Sequence, residues 1–200
     1  MKTVLIGAVL LCFLQSPVHG SAPVQDTDWV KRSNAEAEPI LKVMAKYSPE
    51  GAGQYGLDGY DEAVIDLLPG VHERHRADAR ELLARLEERL KKEQHPKVKQ
   101  DMEILVQVLN DSLSRGDVTH RLLIPYFNVP EIVFNGIRAL LNPNIAESRR
   151  AAAVIRLKKY AGLIAGTKPI AELAKEQTTE RFNIPGLIGP YRVELQKDLK

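Results

Sequence analysis

The chain has 200 residues, a formal net charge of +2 and a single cysteine, Cys12. The near-neutral charge argues against a dedicated nucleic-acid binder. Because no cysteine follows position 12, a disulfide framework and a thiolate zinc site are both excluded, and the fold must rest on its hydrophobic core.

The first 20 residues have the pattern of a secretory signal peptide. Lys2 precedes an apolar run from Val4 to Leu14, and small residues lead to a predicted cleavage after Gly20. The run is well short of the roughly 20 residues that cross a bilayer, and Cys12 lacks the setting of a lipid-anchored cysteine. We therefore expect an exported protein, periplasmic or secreted, with residues 21–200 as its helical domain and no stable membrane span.

The first predicted helix runs from Asp28 to Tyr47, with Pro39 kinking it or dividing it in two. A glycine-rich segment, SPEGAGQYGLDGYDE, follows at residues 48–62. Apolar residues at spacings of three and four then predict an amphipathic helix over residues 79–90. The residues that carry this pattern are Ala79, Leu82, Leu83, Leu86 and Leu90.

A second amphipathic helix is predicted to begin near Pro96 and to end at Gly116, and the two form an antiparallel hairpin. Later helices are predicted at 130–141, 145–160, 168–182 and from 190 onward, the last stopping at Lys200 without a cap. Only RLLIPYF, residues 121–127, has an extended alternative. The predicted class is all-α: an irregular multi-helix domain built on an antiparallel helical hairpin.

Several segments occur in the order found in one bacterial family. They are the glycine-rich loop with the leucine-rich helix after it, then ALLNPNIAESRRAAAVIRLKKYAG, TKPIAELAKEQTTERF and PGLIGPYRVELQKDL. Over roughly residues 45–200 the chain resembles the N-terminal region of the domain of unknown function 885 family. The resemblance implies an exported, helical, zinc-metallopeptidase-like protein. It also implies that the HExxH metal site of full-length members, and their zinc, lie beyond the matched region.

The segment HERH places His72 and His75 three residues apart at the start of a helix. Zinc peptidases use histidines four apart, with the intervening glutamate acting on the bound water. His72 and His75 share a helix face with the leucine stripe, and Glu73 is predicted to point away from it. They are weak metal candidates, and the simpler interpretation is two partly buried histidines at a helix start. His95, in a helix break, and His120, in a loop, are expected to be structural.

The glycine-rich loop is the second candidate site. Its glycines allow left-handed backbone conformations and close approaches that binding loops use. One interpretation is a tight connection. The other is a substrate-binding wall in which Tyr55, Asp58, Tyr60 and Asp61 line a peptide cleft. The loop lacks a nucleotide-binding glycine pattern.

Two further segments have alternative interpretations. The basic side chains of the helix with Arg149, Arg150 and Arg156 are interpreted either as a solvent-exposed face or as a surface that binds anions. The apolar stretch from Arg121 to Ile137 is interpreted either as part of the hydrophobic core or as a patch that binds a partner. No GxSxG elbow is present, and paired acids such as Asp58 and Asp61 are too common to indicate a glycosidase.

These features predict a protein that forms part of a peptide-substrate cleft and is not catalytic by itself, with no catalytic residue and no cofactor in this chain. The alternative is a non-enzymatic, secreted or periplasmic helical binding module. Neither interpretation involves nucleic acid, and the sequence leaves the oligomeric state open.

Overall fold

The computed structural model describes residues 28–143 and 146–189, without the side chain of Ser148. The predicted signal peptide and the predicted helix from Pro190 lie outside these residues. Within the described ranges the chain forms six α-helices and one 3₁₀ helix and contains no β-strand, which confirms the all-α prediction. None of these helices has both the length and the apolar character needed to cross a membrane.

The helices follow the apolar periodicity closely. Their bounds are α1 Asp28–Tyr47, the 3₁₀ helix Pro49–Tyr55, α2 Val71–Leu90, α3 Pro96–Leu122, α4 Val129–Leu141, α5 Glu147–Tyr160 and α6 Ile170–Phe182. α1 is one continuous helix with Pro39 inside it. The 3₁₀ helix lies in the segment predicted as a glycine-rich loop and ends at Gly56, which adopts the left-handed conformation.

The predicted hairpin of α2 and α3 is present, and α1 packs against both of its helices. The three helices enclose one hydrophobic core, onto which Trp29 also packs. Its buried residues are Ile40, Leu82, Leu86, Val98, Met102 and Leu109. Because these side chains recur at helical spacing in each segment, the amphipathic stripes account for this half of the fold.

A second core joins α4, α5 and α6 to the segment that precedes α2. Leu67 from that segment packs with Tyr160 of α5 and with Ile170, Leu173 and Ala174 of α6. α4 covers this core with Val129, Val133 and Ile137, among others. The glycine-rich segment therefore connects α1 to α2 on one side and contacts α4 on the other.

The predicted end of α3 at Gly116 is wrong, because the helix continues to Leu122. A Cβ atom at Gly116 would meet nothing within 4 Å, so this glycine lies at an open position rather than at a helix end. The two turns after it are held by contacts with α2. Arg76 donates to Asp117 at 2.7 Å, and tertiary contacts of this kind override the weak helix propensity of one glycine.

Candidate functional site

The glycine-rich segment is fixed to α5 by a bidentate ion pair. Arg149 donates to the two carboxylate oxygens of Asp61 from Nε at 2.6 Å and from Nη2 at 2.7 Å. Both side chains are mostly buried. The hydrogen bonds from Arg149 hold the pKa of Asp61 below its ordinary value, so the carboxylate is a stable anchor.

Glu50 forms a second anchor in the same segment. One of its carboxylate oxygens accepts hydrogen bonds from the amide of Ile65 at 2.9 Å and from the hydroxyl of Tyr160 at 2.8 Å. Burial raises the pKa of Tyr160 above its ordinary value, and the charge of Glu50 raises it further. The phenol therefore stays protonated and acts as a donor.

Arg156 provides a third anchor and differs from the expected solvated basic face. Its side chain is 2% exposed. It donates to the carbonyl of Gly136 in α4 at 3.0 Å and to the carbonyl of Tyr60 at 2.7 Å. One helix thus contributes Arg149, Arg156 and Tyr160 to the contacts that hold the glycine-rich segment. These are contacts that sequence analysis missed, although the row of basic residues had drawn attention to the helix.

The four predicted substrate-binding residues occupy different surroundings. Tyr55 and Asp58 are exposed. Tyr60 lines a cavity together with residues of α1 and α2. Asp61 is engaged by Arg149. The tight-connection interpretation accounts for Asp61 and for the carbonyl of Tyr60, whereas a role in substrate binding for these residues stays a prediction.

A groove of about 1310 Å3 lies between the glycine-rich segment and α4. The segment contributes Glu50, Gly51 and Gln54 to one wall. The opposite wall is mostly apolar and comes from α4, from the residues directly after α4 and from α5. Its apolar lining residues are Val129, Pro130, Val133, Phe134, Ile137, Ala139, Leu141, Pro143 and Leu157. The predicted loop therefore does border a groove, but through residues other than the four that were singled out.

α4 has apolar residues on its outer side as well as on its core side. Gly136 and Leu140 are buried, whereas Phe134 is 61% exposed and Leu141 is 56% exposed. The guanidinium of Arg138 lies 5.8 Å from the centre of the Phe134 ring. The core interpretation describes the buried face of α4, whereas a partner-binding role for the face toward the groove stays a prediction.

The two histidines of HERH turn to different neighbours. His75 is half-buried and meets the edge of the Tyr47 ring at a centroid distance of 4.8 Å. Burial lowers the pKa of His75, and the nearby His72 lowers it further. His72 instead faces α3, where its ring stacks on His120 at a centroid distance of 3.8 Å and an interplanar angle of 2°.

The placement of His120 in a loop was wrong, because it lies in the last turn of α3. Its pairing with His72 follows from the antiparallel hairpin, which brings the start of α2 beside the end of α3. Imidazole lone pairs lie in the ring plane, so parallel stacked rings do not direct them to one ion. Among the described residues, no three His, Cys, Asp or Glu side chains form a group suited to a metal ion.

Comparison of the chain with protein-family models, with curated proteins and with solved structures finds no match. The resemblance to the domain of unknown function 885 family therefore rests on the ordered sequence segments alone. It stays a prediction, and the structural contacts carry the functional argument.

Proposed function

We propose that this is an exported helical protein that holds an extended peptide in the groove along α4. In this proposal the chain forms one wall of the peptide-substrate cleft of a zinc-metallopeptidase-like protein and does not cleave the peptide itself. The observation that carries it is the exposed apolar face of α4, where Phe134 and Leu141 border the groove. Large apolar side chains exposed on one face of a helix at a groove are typical of binding surfaces.

The dimensions of the groove favour a chain-like ligand. Its volume of about 1310 Å3 exceeds the roughly 300–1000 Å3 that is usual for small-molecule pockets. Its lining follows the whole of α4, 13 residues long, which corresponds to about 20 Å at 1.5 Å per residue. An extended peptide of about six residues spans this length.

The chemistry of the walls supports the same ligand class. The apolar side chains of α4 suit alternate side chains of an extended peptide. The polar groups at the borders suit its main-chain donors and acceptors. These polar groups are Glu50, Gln54, Asn135, Arg138 and Asn142.

The test is fluorescence anisotropy of the whole chain with a labelled decapeptide in which leucine and serine alternate. The variant Phe134→Ser/Leu141→Ser is expected to weaken binding by at least about tenfold, because each buried apolar side chain contributes about 1.5–3 kcal/mol. The matched control is Ile104→Ser/Val108→Ser. These two exposed residues of α3 lie outside the groove lining.

Binding that is absent in the wild-type chain, or that is weakened equally by both double variants, contradicts the groove as the peptide site. The proposed lack of catalysis has its own readout. Mass spectrometry of the decapeptide after incubation with the chain and added Zn2+ is expected to find it intact. Cleavage that depends on Zn2+ would show that these residues are catalytic after all.

The same titration separates the alternative function, a self-sufficient binding module. A wall that packs against further protein is expected to bind a hydrophobic dye at α4, and the decapeptide should displace the dye. A module with a dedicated partner is instead expected not to bind the decapeptide. Its dye signal should still be lower in the Phe134→Ser/Leu141→Ser variant than in the wild-type chain.

A further inference from the structure

The ends of α2, α3 and α6 meet around the stacked pair of His72 and His120. This junction lines a cleft of about 690 Å3 that is separate from the groove along α4. Arg181, in the last turn of α6, reaches across to α3. Its Nη1 lies 3.2 Å from Nε2 of His120, and its Nη2 donates to the main-chain carbonyl of His120.

The contact with Arg181 favours the neutral form of His120. A guanidinium has only donors and keeps its charge at all accessible pH values. The contact is a hydrogen bond only when Nε2 of His120 accepts, that is, when the ring is neutral and carries its proton on Nδ1. A second proton on this imidazole would place an N–H group against the N–H groups of Arg181, and it would place a cation beside a cation.

The stack on His72 adds a second reason. Two parallel rings 3.8 Å apart pack well when at least one is neutral, but two imidazolium ions at this distance repel each other. Asp117 also lies 3.9 Å from Nε2 of His72. A proton on Nε2 of His120 therefore has to enter the contact with Arg181 while the ring stays stacked on a second imidazole.

The other charges around the pair do not reverse this preference. Glu73 of α2 lies 3.8 Å from Nε2 of His120 and Asp117 of α3 faces the same ring, and both favour its protonation. Asp117 is already paired with Arg76. Burial, His72 and Arg181, in that order, lower the pKa of His120 against the effect of the two acids. The remaining charged residues that share the cavities of His120 are Arg80, Arg115, Arg121 and Glu180.

We propose that His120 and Arg181 form an acid-sensitive latch that holds the end of α6 against the end of α3. The latch is closed while His120 is neutral, and it opens when His120 takes up a proton. Opening removes two hydrogen bonds from the end of α6. The segment that follows α6 is then still held by a neighbouring contact. In that contact Ile188 exchanges main-chain hydrogen bonds with Leu122 and Ile124. This proposal does not rest on the proposed peptide groove.

The test is hydrogen exchange of the amides from Thr178 to Phe182 in the whole chain, corrected for the intrinsic effect of pH. Between pH 7.5 and pH 5 the wild-type exchange is expected to accelerate by at least about fivefold, because a lowered histidine pKa makes opening increasingly favourable in acid. His120→Gln keeps an acceptor for Arg181 at every pH and is expected to abolish this acceleration. Arg181→Gln removes the cation and is expected to exchange fast at both pH values.

The matched control is His75→Gln, which removes a histidine that contacts Tyr47 of α1 and should leave the acceleration at α6 unchanged. An NMR titration of the wild-type His120 imidazole provides a readout that needs no variant to fold, and the pKa of His120 is expected to lie below the ordinary value of 6.5. Exchange at α6 that is independent of pH in the wild type, or an acceleration that persists in His120→Gln, overturns the latch. The same holds if the pKa of His120 lies at or above the ordinary value of 6.5.

Discussion

The hydroxyl of Tyr160 in α5 occupies the space beside Gly136 in α4 that a Cβ atom would take. The same hydroxyl donates to Glu50, whose side chain lies 3.0 Å from that Cβ position. Glycine at position 136 is therefore needed for the close crossing of α4 and α5, and through Glu50 this crossing also positions one wall of the groove.

This relationship predicts opposite effects for two glycine substitutions in helices. Gly136→Ala is expected to lower the free energy of unfolding by about 1–3 kcal/mol, because the buried Tyr160 must move. Gly116→Ala, at an open position of α3, is expected to raise it by about 0.5–1 kcal/mol through helix propensity. Urea denaturation followed by the fluorescence of Trp29 measures both, and a destabilising Gly116→Ala would contradict the assignment of open space there.

A double-mutant cycle tests the contact itself. Tyr160→Phe alone is expected to cost about 1–3 kcal/mol, because it removes a partly buried hydrogen bond to a carboxylate. The double variant Gly136→Ala/Tyr160→Phe is expected to lose less stability than the sum of the losses of the two single variants. The reason is that the absent hydroxyl leaves room for the new methyl group. Strict additivity would mean that the alanine is accommodated by a movement elsewhere.

The ion pair of Asp61 and Arg149 predicts that arginine at position 149 is not replaceable by lysine. Arg149→Lys keeps the charge but loses the two-pronged geometry, and it is expected to cost about 1–3 kcal/mol. Limited proteolysis should detect faster cleavage within residues 50–60. The control is Arg85→Lys, whose exposed pair with Glu81 within α2 is expected to contribute no more than about 0.5 kcal/mol.

The Asp61 anchor also has a defined pH dependence. Its folded-state pKa is lowered, so its stabilising contribution is present at neutral pH and is lost as the pH falls below the ordinary value of 3.8. Asp61→Asn is expected to show a smaller loss of stability than the wild type between pH 5 and pH 3. An equal loss in both proteins would assign the acid sensitivity to other carboxylates.

His75 predicts a loss of stability at milder acidity. Because burial lowers its pKa from the ordinary 6.5, the unfolded chain binds the proton more readily and stability falls as the pH drops below about 6.5. His75→Phe keeps an aromatic ring against Tyr47 and is expected to reduce the slope of the unfolding free energy between pH 7 and pH 5. The slope should not vanish, because His120 also has a lowered pKa.

The helix boundaries show where local sequence information ends. The first helix was predicted from Asp28 to Tyr47, and the structure has the same bounds. α4 begins one residue before its predicted start, where Asn128 accepts a hydrogen bond from the amide of Glu131 as an N-cap. The predicted end of α3 at Gly116 was too early, because a glycine ends a helix only when no tertiary contact stabilises the turns that follow it.

The candidate site shows the same division more strongly. The glycine density of residues 48–62 indicated a segment with unusual backbone requirements, and Gly56 and Gly59 do adopt left-handed conformations. Its anchors lie 88 residues away at Arg149 and 110 residues away at Tyr160. No spacing rule connects such positions. The sequence therefore could not show which acidic residues of the segment form hydrogen bonds with α5 and which stay exposed.

The sequence by itself determined the helical class, the hairpin of α2 and α3 and the core stripes, because apolar periodicity acts over one or two turns and repeats along each segment. Only the tertiary structure decided that His72 stacks on His120 rather than acting with His75, that Arg156 is buried, and that α4 turns Phe134 toward a groove. These outcomes depend on which helix ends meet in space. That is set by how several amphipathic faces pack together, not by the spacing of residues along any one of them.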